Sequence, residues 1–347
     1  MYLYHYALVV SVALGLSALL TPLAGYLGKK LDIVDYPGGR RRHRGTVPRP
    51  GGIAVLIAFV AAVGVAGWRG ILTAGYGPDD VLRLKGLLIG GVAAALFGLL
   101  DDWFDLPPGP QFAFQFVLSL TALATLLWLE RFTVPFIGTI RLNEYAWGAL
   151  VFAPLTILWT MGMINTVNWL DGLDGLAAGV GVILCLVLAT HMRYLADQPQ
   201  PSVALLPLAL MGALVGFLPY NVAPARVFLG SAGAFFLGYA LAALGLIAGG
   251  RTATVLMVMG LPIVDVAWQI FDRVRRNRSP VQADRGHLHY RLLDLGLSKR
   301  AIVVLYWGFC ALFGLLALVA APWQKLIALL SIAGIVVFVL VFLSRET

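Results

Sequence analysis

Cysteine is almost absent. Only Cys185 and Cys310 occur in 347 residues, each inside an apolar run. A disulfide framework and a thiolate zinc site are both excluded, and the two side chains read as small hydrophobes in helices. Charge is scarce too: Asp, Glu, Lys and Arg make up 12% of the chain. A soluble domain of this length needs far more. A basic, aromatic-interleaved soluble segment is also missing, so the formal net charge of +8 does not point to nucleic acid as a partner. The first apolar run, Tyr4 to Gly28, has no basic start and is too long for a signal-peptide core. It reads as a first transmembrane helix.

What is abundant is apolar sequence. Hydrophobic residues make up 60% of the chain, and the mean hydropathy is +0.87. Segments long enough to span a bilayer recur at 4–28, 51–68, 86–101, 111–129, 146–164, 174–194, 202–219, 229–249, 252–271, 301–321 and 324–344. The expected fold is an all-α polytopic membrane protein of about eleven helices. It forms one membrane domain over 1–347, with no soluble linker. Placing the N-terminus outside puts 17 Lys and Arg on inside loops and 8 on outside loops, as the positive-inside rule requires. The C-terminus is then cytoplasmic. Gly-rich segments permit close helix packing in lipid, and a homodimer with it.

On that topology the polar clusters share one face, in loops around 29–52, 101–110, 165–175, 219–233 and 272–300. The densest runs from Asn165 through Asn168 and Asp171-Gly172-Leu173-Asp174-Gly175. Two amides and two carboxylates with glycine spacers suit a hard cation or a sugar nucleotide; the plainer reading is a capped inter-helix turn. A carboxylate at membrane depth is costly unless it lines a wet cavity, and the recurrence of acidic clusters on the same face favours a site. Asp101 and Asp102, with Asp105 following, stand together at a helix end. They repel each other and the helix dipole, so they need a cation or a raised pKa. Mg²⁺ beside a phosphate is one such cation, and a solvated acidic terminus is the alternative.

Three further stretches carry weaker signals. Gly51-Gly52 lets backbone approach a phosphate with Arg49 nearby, while Arg40 to Arg42 read as a topology anchor. Pro219 and Pro224 end or break helices around Asn221, an amide able to donate to a base or sugar. Ser231 among its glycines suits small-residue packing. His287 and His289 with Arg291 can hold a diphosphate or form a metal pair. Outside, 132–141 alternates like a short hairpin with a structural role only.

Taken together, Pro48 to Gly52, Asp101-Asp102-x-x-Asp105, Asn165 to Gly175, Tyr220-Asn221, Pro262 to Asp265 and Ala283 to His289 resemble the polyprenyl-phosphate N-acetylhexosamine-1-phosphate transferases. The likeness covers nearly the whole chain. It lies with the branch that starts O-antigen, enterobacterial common antigen or teichoic-acid linkage synthesis, not with the lipid I-forming branch. It implies a bacterial cytoplasmic-membrane enzyme with an active site facing the cytoplasm. The partners implied are a UDP-N-acetylhexosamine and undecaprenyl or other polyprenyl phosphate, and the cofactor is Mg²⁺, with Mn²⁺ an alternative. By that resemblance Asp101 is the base or lipid-phosphate partner and Asp102 a metal ligand, or the two exchange roles. Asp171 and Asp174, with Asn165, Asn168 and Asn221, hold nucleotide and metal. Phe228 stacks on uracil, and His287, His289 and Arg291 hold diphosphate or sugar.

Two departures stand out. The family's Gly-Asp-Ser-Gly-Ser is here Gly230-Ser231-Ala232-Gly233-Ala234, so Ser231 occupies a metal-ligand position without a carboxylate. Tyr290 stands where a third His-type residue is common. The competing expectations are a catalytically weakened relative that binds lipid phosphate or nucleotide sugar, and a secondary transporter. Against the transporter, the polar groups cluster at helix ends on one side and no repeat is visible.

Overall fold

A segment apolar around its whole circumference must close its backbone hydrogen bonds internally, which in lipid means a helix. The computed structural model describes residues 2–37, 45–72, 76–134, 138–145, 147–195, 199–247, 251–279 and 286–345. Arg40, Arg41, Arg42, His43 and Arg44, and likewise Ala283-Asp284-Arg285, lie outside the described residues. Among the described residues, each of the eleven apolar runs overlaps helix. In order these are α1 (Tyr2–Lys30), α2 (Gly51–Trp68), α3 (Pro78–Phe104), α4 (Pro108–Ala124), α5 (Gly148–Leu170), α6 (Leu176–Thr190), α7 (Leu205–Asn221) and α8 (Gly230–Ile247). Then come α9 (Thr252–Val258), α10 (Gly260–Arg275), the short α11 (Leu288–Asp294), α12 (Lys299–Val319) and α13 (Pro322–Arg345).

Among the described residues, 8 helices are long and apolar enough to cross a membrane: α1, α2, α3, α5, α6 with its following turn, α8, α12 and α13. The single helix expected at 252–271 is instead the pair α9–α10, bent by 80°. Pro262, early in α10, has no N–H to offer the preceding turn, which lets the helix break there. Counted as one span, the pair makes 9. Apolar α7 has 17 residues and falls short of the length. Pro219 is inside α7 and does not end it. The chain is also not purely helical. Val34–Asp35 pairs with Val47–Pro48 as β1 and β2, bracketing the first loop. The expected hairpin is present as β3 (Arg131–Val134) and β4 (Gly138–Arg141).

The core centres on α8, buried from Ala232 to Ile247 and packed on α3, α5 and α2. Small residues set how close these helices come. A Cβ on Gly52 would lie 2.1 Å from the Gly233 backbone. Only the first two residues of α8, Gly230 and Ser231, emerge from the core, at the end where the polar loops gather.

Candidate active site

Two of the polar loops run alongside each other. Phe228 donates its N–H to the Pro48 carbonyl at 2.8 Å, and Gly51 and Gly52 donate to the Phe228 and Leu229 carbonyls at 3.1 and 2.9 Å. The Gly-Gly amides expected to approach phosphate are therefore spent on this strip. It brings Arg49 beside the end of α3. The Arg49 guanidinium reaches Asp35 at 2.6 Å, Asp105 at 2.9 Å and the Asp102 carbonyl at 3.3 Å. Burial opposes its charge, but the hydrogen bonds to Asp105 and Asp35 outweigh that and hold its pKa above the ordinary value.

Asp102 is buried, and both its oxygens accept backbone N–H groups from the start of α8. Ser231 donates at 2.9 Å and Ala232 at 3.0 Å. The acid that opposes the dipole of α3 thus sits on the positive end of α8. Gly230, at φ +70°, makes the turn; a Cβ there would lie 2.3 Å from the Arg49 carbonyl and 2.6 Å from Asp102 Oδ2. Asp101 accepts from Gln111 at 2.8 Å, and the Ser231 hydroxyl is within its hydrogen-bonding reach.

The turn between α5 and α6 supplies the facing wall. Asp174 accepts from Ala225 N–H at 3.1 Å and lies 3.6 Å from Lys299 Nζ. Asn221 accepts from Gly175 N–H at 3.0 Å and donates to the Val227 carbonyl at 3.1 Å, tying the two loops together. Enclosure pushes the Asp171 carboxyl well above the usual carboxylate range, and the neighbouring charges of Asp102 and Asp174 add to this.

These groups line a cavity of about 430 Å³ that holds Arg49, Asp101, Asp102, Asn168, Asp171, Asp174, Asn221, Phe228 and Ser231. Four expected residues do not line it. Asn165 donates to Gln115 at 2.6 Å and to the Met161 carbonyl, an amide pair between α4 and α5. His287 contacts Asp265 at 3.1 Å and is buried. His289 is buried behind Gly172, whose added Cβ would lie 2.8 Å from its Nε2, and among the described residues neither ring nitrogen has a hydrogen-bond partner. Burial, with a small contribution from His287, lowers its pKa to about 4. Arg291 donates to the Gly286 and Leu340 carbonyls at 2.7 and 3.2 Å. From this turn it is Tyr290 that reaches the cavity, together with Asp35, Asp105 and Lys299 from elsewhere. Lys299 carried no sequence signal, because only the α11–α12 turn brings it to Asp174.

Six carboxyl side chains, from Asp35, Asp101, Asp102, Asp105, Asp171 and Asp174, thus face two cations, Arg49 and Lys299. Among the described residues no group of three or more His, Cys, Asp or Glu is arranged to hold a metal ion by itself. The donor set fits a hard cation held by one or two carboxylates and completed by water and substrate oxygens.

A many-helix membrane bundle with one acidic, water-accessible cavity at one end defines a multi-span membrane protein with a polar site. The family model for "Glycosyl transferase family 4" matches residues 84–249. A "probable undecaprenyl-phosphate N-acetylglucosaminyl 1-phosphate transferase" of Bacillus subtilis is 33% identical over 318 residues, covering 89% of this chain and 84% of that protein. A decaprenyl-phosphate N-acetylglucosaminephosphotransferase of Mycobacterium leprae is 31% identical, over 83% of this chain and 76% of that one. An undecaprenyl-phosphate alpha-N-acetylglucosaminyl 1-phosphate transferase of Escherichia coli is 27% identical, over 85% and 78% respectively. The chain belongs to glycosyl transferase family 4 and is a membrane transferase.

Proposed function

We propose that the protein moves a sugar-1-phosphate, GlcNAc-1-phosphate foremost, from a UDP-N-acetylhexosamine to undecaprenyl or another polyprenyl phosphate. UMP leaves, and a cell-envelope polysaccharide is started. The relatives' names support the reaction. The observation that carries the reading is the meeting of Asp101, Asp102, Asp171, Asp174 and Arg49 at one cavity.

An oxygen of the lipid phosphate attacks the β-phosphorus, and the bond from that phosphorus to UMP breaks. The attacking phosphate is already mostly ionised, with a second pKa of about 6. The protein has little covalent work to do; it positions anions and neutralises charge. Asp102, fixed by two backbone N–H groups, and Asp171 would hold Mg²⁺ or Mn²⁺, with the Ser231 hydroxyl beside them. When bound, the cation screens the diphosphate from the six carboxyls and stabilises charge developing on its oxygens. Asp101, buried and held by Gln111, is placed to accept a proton. Phe228 offers a face for uracil. Asn168 and Tyr290 offer hydrogen bonds to nucleotide or sugar, and Lys299 offers charge to phosphate. Asn221, and His287 with Asp265, hold the loops in position.

The full reading has eleven membrane crossings in the bacterial inner membrane, with the N-terminus outside, the C-terminus and site cytoplasmic, and one domain over 1–347. It is supported by Tyr2 at the end of the bundle away from the cavity and by Leu340 beside Arg291 at the near end. A homodimer is compatible with it. The by-product of a reaction run with UDP-GlcNAc and polyprenyl phosphate tests the bond that breaks. UMP with a diphosphate-linked lipid is expected. UDP, or uptake into proteoliposomes without a lipid product, overturns the reading.

A further inference from the structure

Gln111 and Gln115 lie one turn apart on α4, at the spacing that puts two side chains on one helix face. Gln111 donates through its amide nitrogen to Asp101 at 2.8 Å and to the Leu106 carbonyl at 3.0 Å. Gln115 is completely buried. Its Oε1 accepts from Asn165 of α5 at 2.6 Å, and its Nε2 faces Asn165 Oδ1 at 3.4 Å. The Asn165 amide also donates to the Met161 carbonyl of its own helix at 2.8 Å. One face of α4 therefore grips the end of α3 at one level and the middle of α5 at the next.

Neither member of the Gln115–Asn165 pair lines the acidic cavity, so the transfer chemistry does not touch it. Nor is the pair needed for cohesion. Polar bonds between helices in lipid contribute modestly, because separated helices find other partners for the same groups. What a reciprocal amide pair supplies is direction. Its two bonds align at one axial offset, whereas apolar contact is non-directional, and fixing register is the best-attested use of a buried polar pair. From Asn165, α5 runs on through Asn168 at the cavity to Asp171, which caps it, a rise of about 9 Å. Asp101 stands across the same cavity at the end of α3. α4 packs on both helices.

We infer that Gln111 and Gln115 are positioning residues of the transfer site, with α4 as the gauge that holds Asp101 of α3 level with Asn168 and Asp171 of α5. The inference rests on the transfer reading above, and it assigns Asn165 to the gauge rather than to nucleotide or metal. A displacement of about 1 Å between reacting groups costs on the order of 100-fold in rate. Loss of register therefore acts on kcat even where the fold survives.

Transfer kinetics of the full-length protein with UDP-GlcNAc and undecaprenyl phosphate, paired with thermal unfolding, separate positioning from stability. Gln115→Leu and Asn165→Leu each leave one buried amide unpaired, so kcat and the unfolding midpoint should both fall. Gln115→Leu/Asn165→Leu removes both amides, and its midpoint should return towards the native one. Its kcat should nevertheless stay about tenfold or more below native. The exchanged pair Gln115→Asn/Asn165→Gln keeps the combined side-chain length and should recover kcat. Gln111→Met, which offers Asp101 no N–H, should lower kcat as the single variants do. Native kcat in the double Leu variant or in Gln111→Met overturns the inference, as does an exchanged pair that folds yet stays as slow as the single variants. Absence of product from the native protein overturns the transfer reading and this inference with it, a failure distinct from fast turnover in the variants.

Discussion

Asp102 shows how one side chain serves two helices. It ends α3, yet its charge is carried by the N–H groups that open α8. Asp102→Asn replaces one acceptor oxygen with an amide that faces a donor, so geometry and charge fail together. The expected loss in kcat is about 100-fold or more, comparable to removing a preorganised electrostatic partner, and steady-state transfer kinetics would measure it. Arg49 bridges Asp35 and Asp105 through a planar fork that an ammonium cannot copy. Arg49→Met removes the guanidinium from the buried Asp35 and should cost about 3 kcal/mol, read as a lower unfolding midpoint. Arg49→Lys should recover only part of it.

His289 supplies the pH dependence. Its folded pKa is lowered to about 4, so between that value and the ordinary one the unfolded chain binds the extra proton. Stability is therefore retained above about pH 6.5 and falls as pH drops from there toward 4. The loss at pH 5 should be about 2 kcal/mol, and unfolding of His289→Phe should be less sensitive over that interval. An unfolding midpoint that rises on acidification in the wild type, by contrast, would contradict the assignment.

At the scale of elements, the apolar runs were readable because span length and hydropathy leave a helix little alternative in lipid. The ends were harder. Asp79, Asp80, Arg83 and Lys85 hide the first turns of α3 from a hydropathy reading, and the 80° break between α9 and α10 depends on Pro262 within an unbroken apolar run. The acidic motifs named most of the cavity, because buried carboxylates are rare enough to signal function. Residue type alone does not say which way a side chain turns. Asn165 pairs with Gln115 inside the bundle, His287 and His289 turn into the core, and Tyr290, next to His289 in α11, takes the open position. Asp35 and Lys299 needed the folded loops to be seen at all.

For the whole molecule, the polar ends of the helices divide into an acidic cavity and an arginine-lined one, at opposite ends of the same bundle. This makes sidedness measurable. Trp103 is 51% exposed near the acidic cavity and Trp68 is 84% exposed at the other end, while both native cysteines are buried. In a Cys185→Ala/Cys310→Ala background, Trp68→Cys should react with an impermeant maleimide on intact spheroplasts. Trp103→Cys should react only after permeabilisation, and the reverse pattern would invert the proposed topology.

The acidic cavity as the place of sugar-phosphate transfer is the central claim, and Ser231 is its sharpest test. The most direct measurement is transfer from radiolabelled UDP-GlcNAc to undecaprenyl phosphate, with and without Mg²⁺ or Mn²⁺, by the native protein and by Ser231→Asp. The expected result is metal-dependent lipid-linked product from the native protein, with Ser231 a tolerated change in the site. Product from Ser231→Asp alone, or from neither protein with any UDP-sugar, would contradict it.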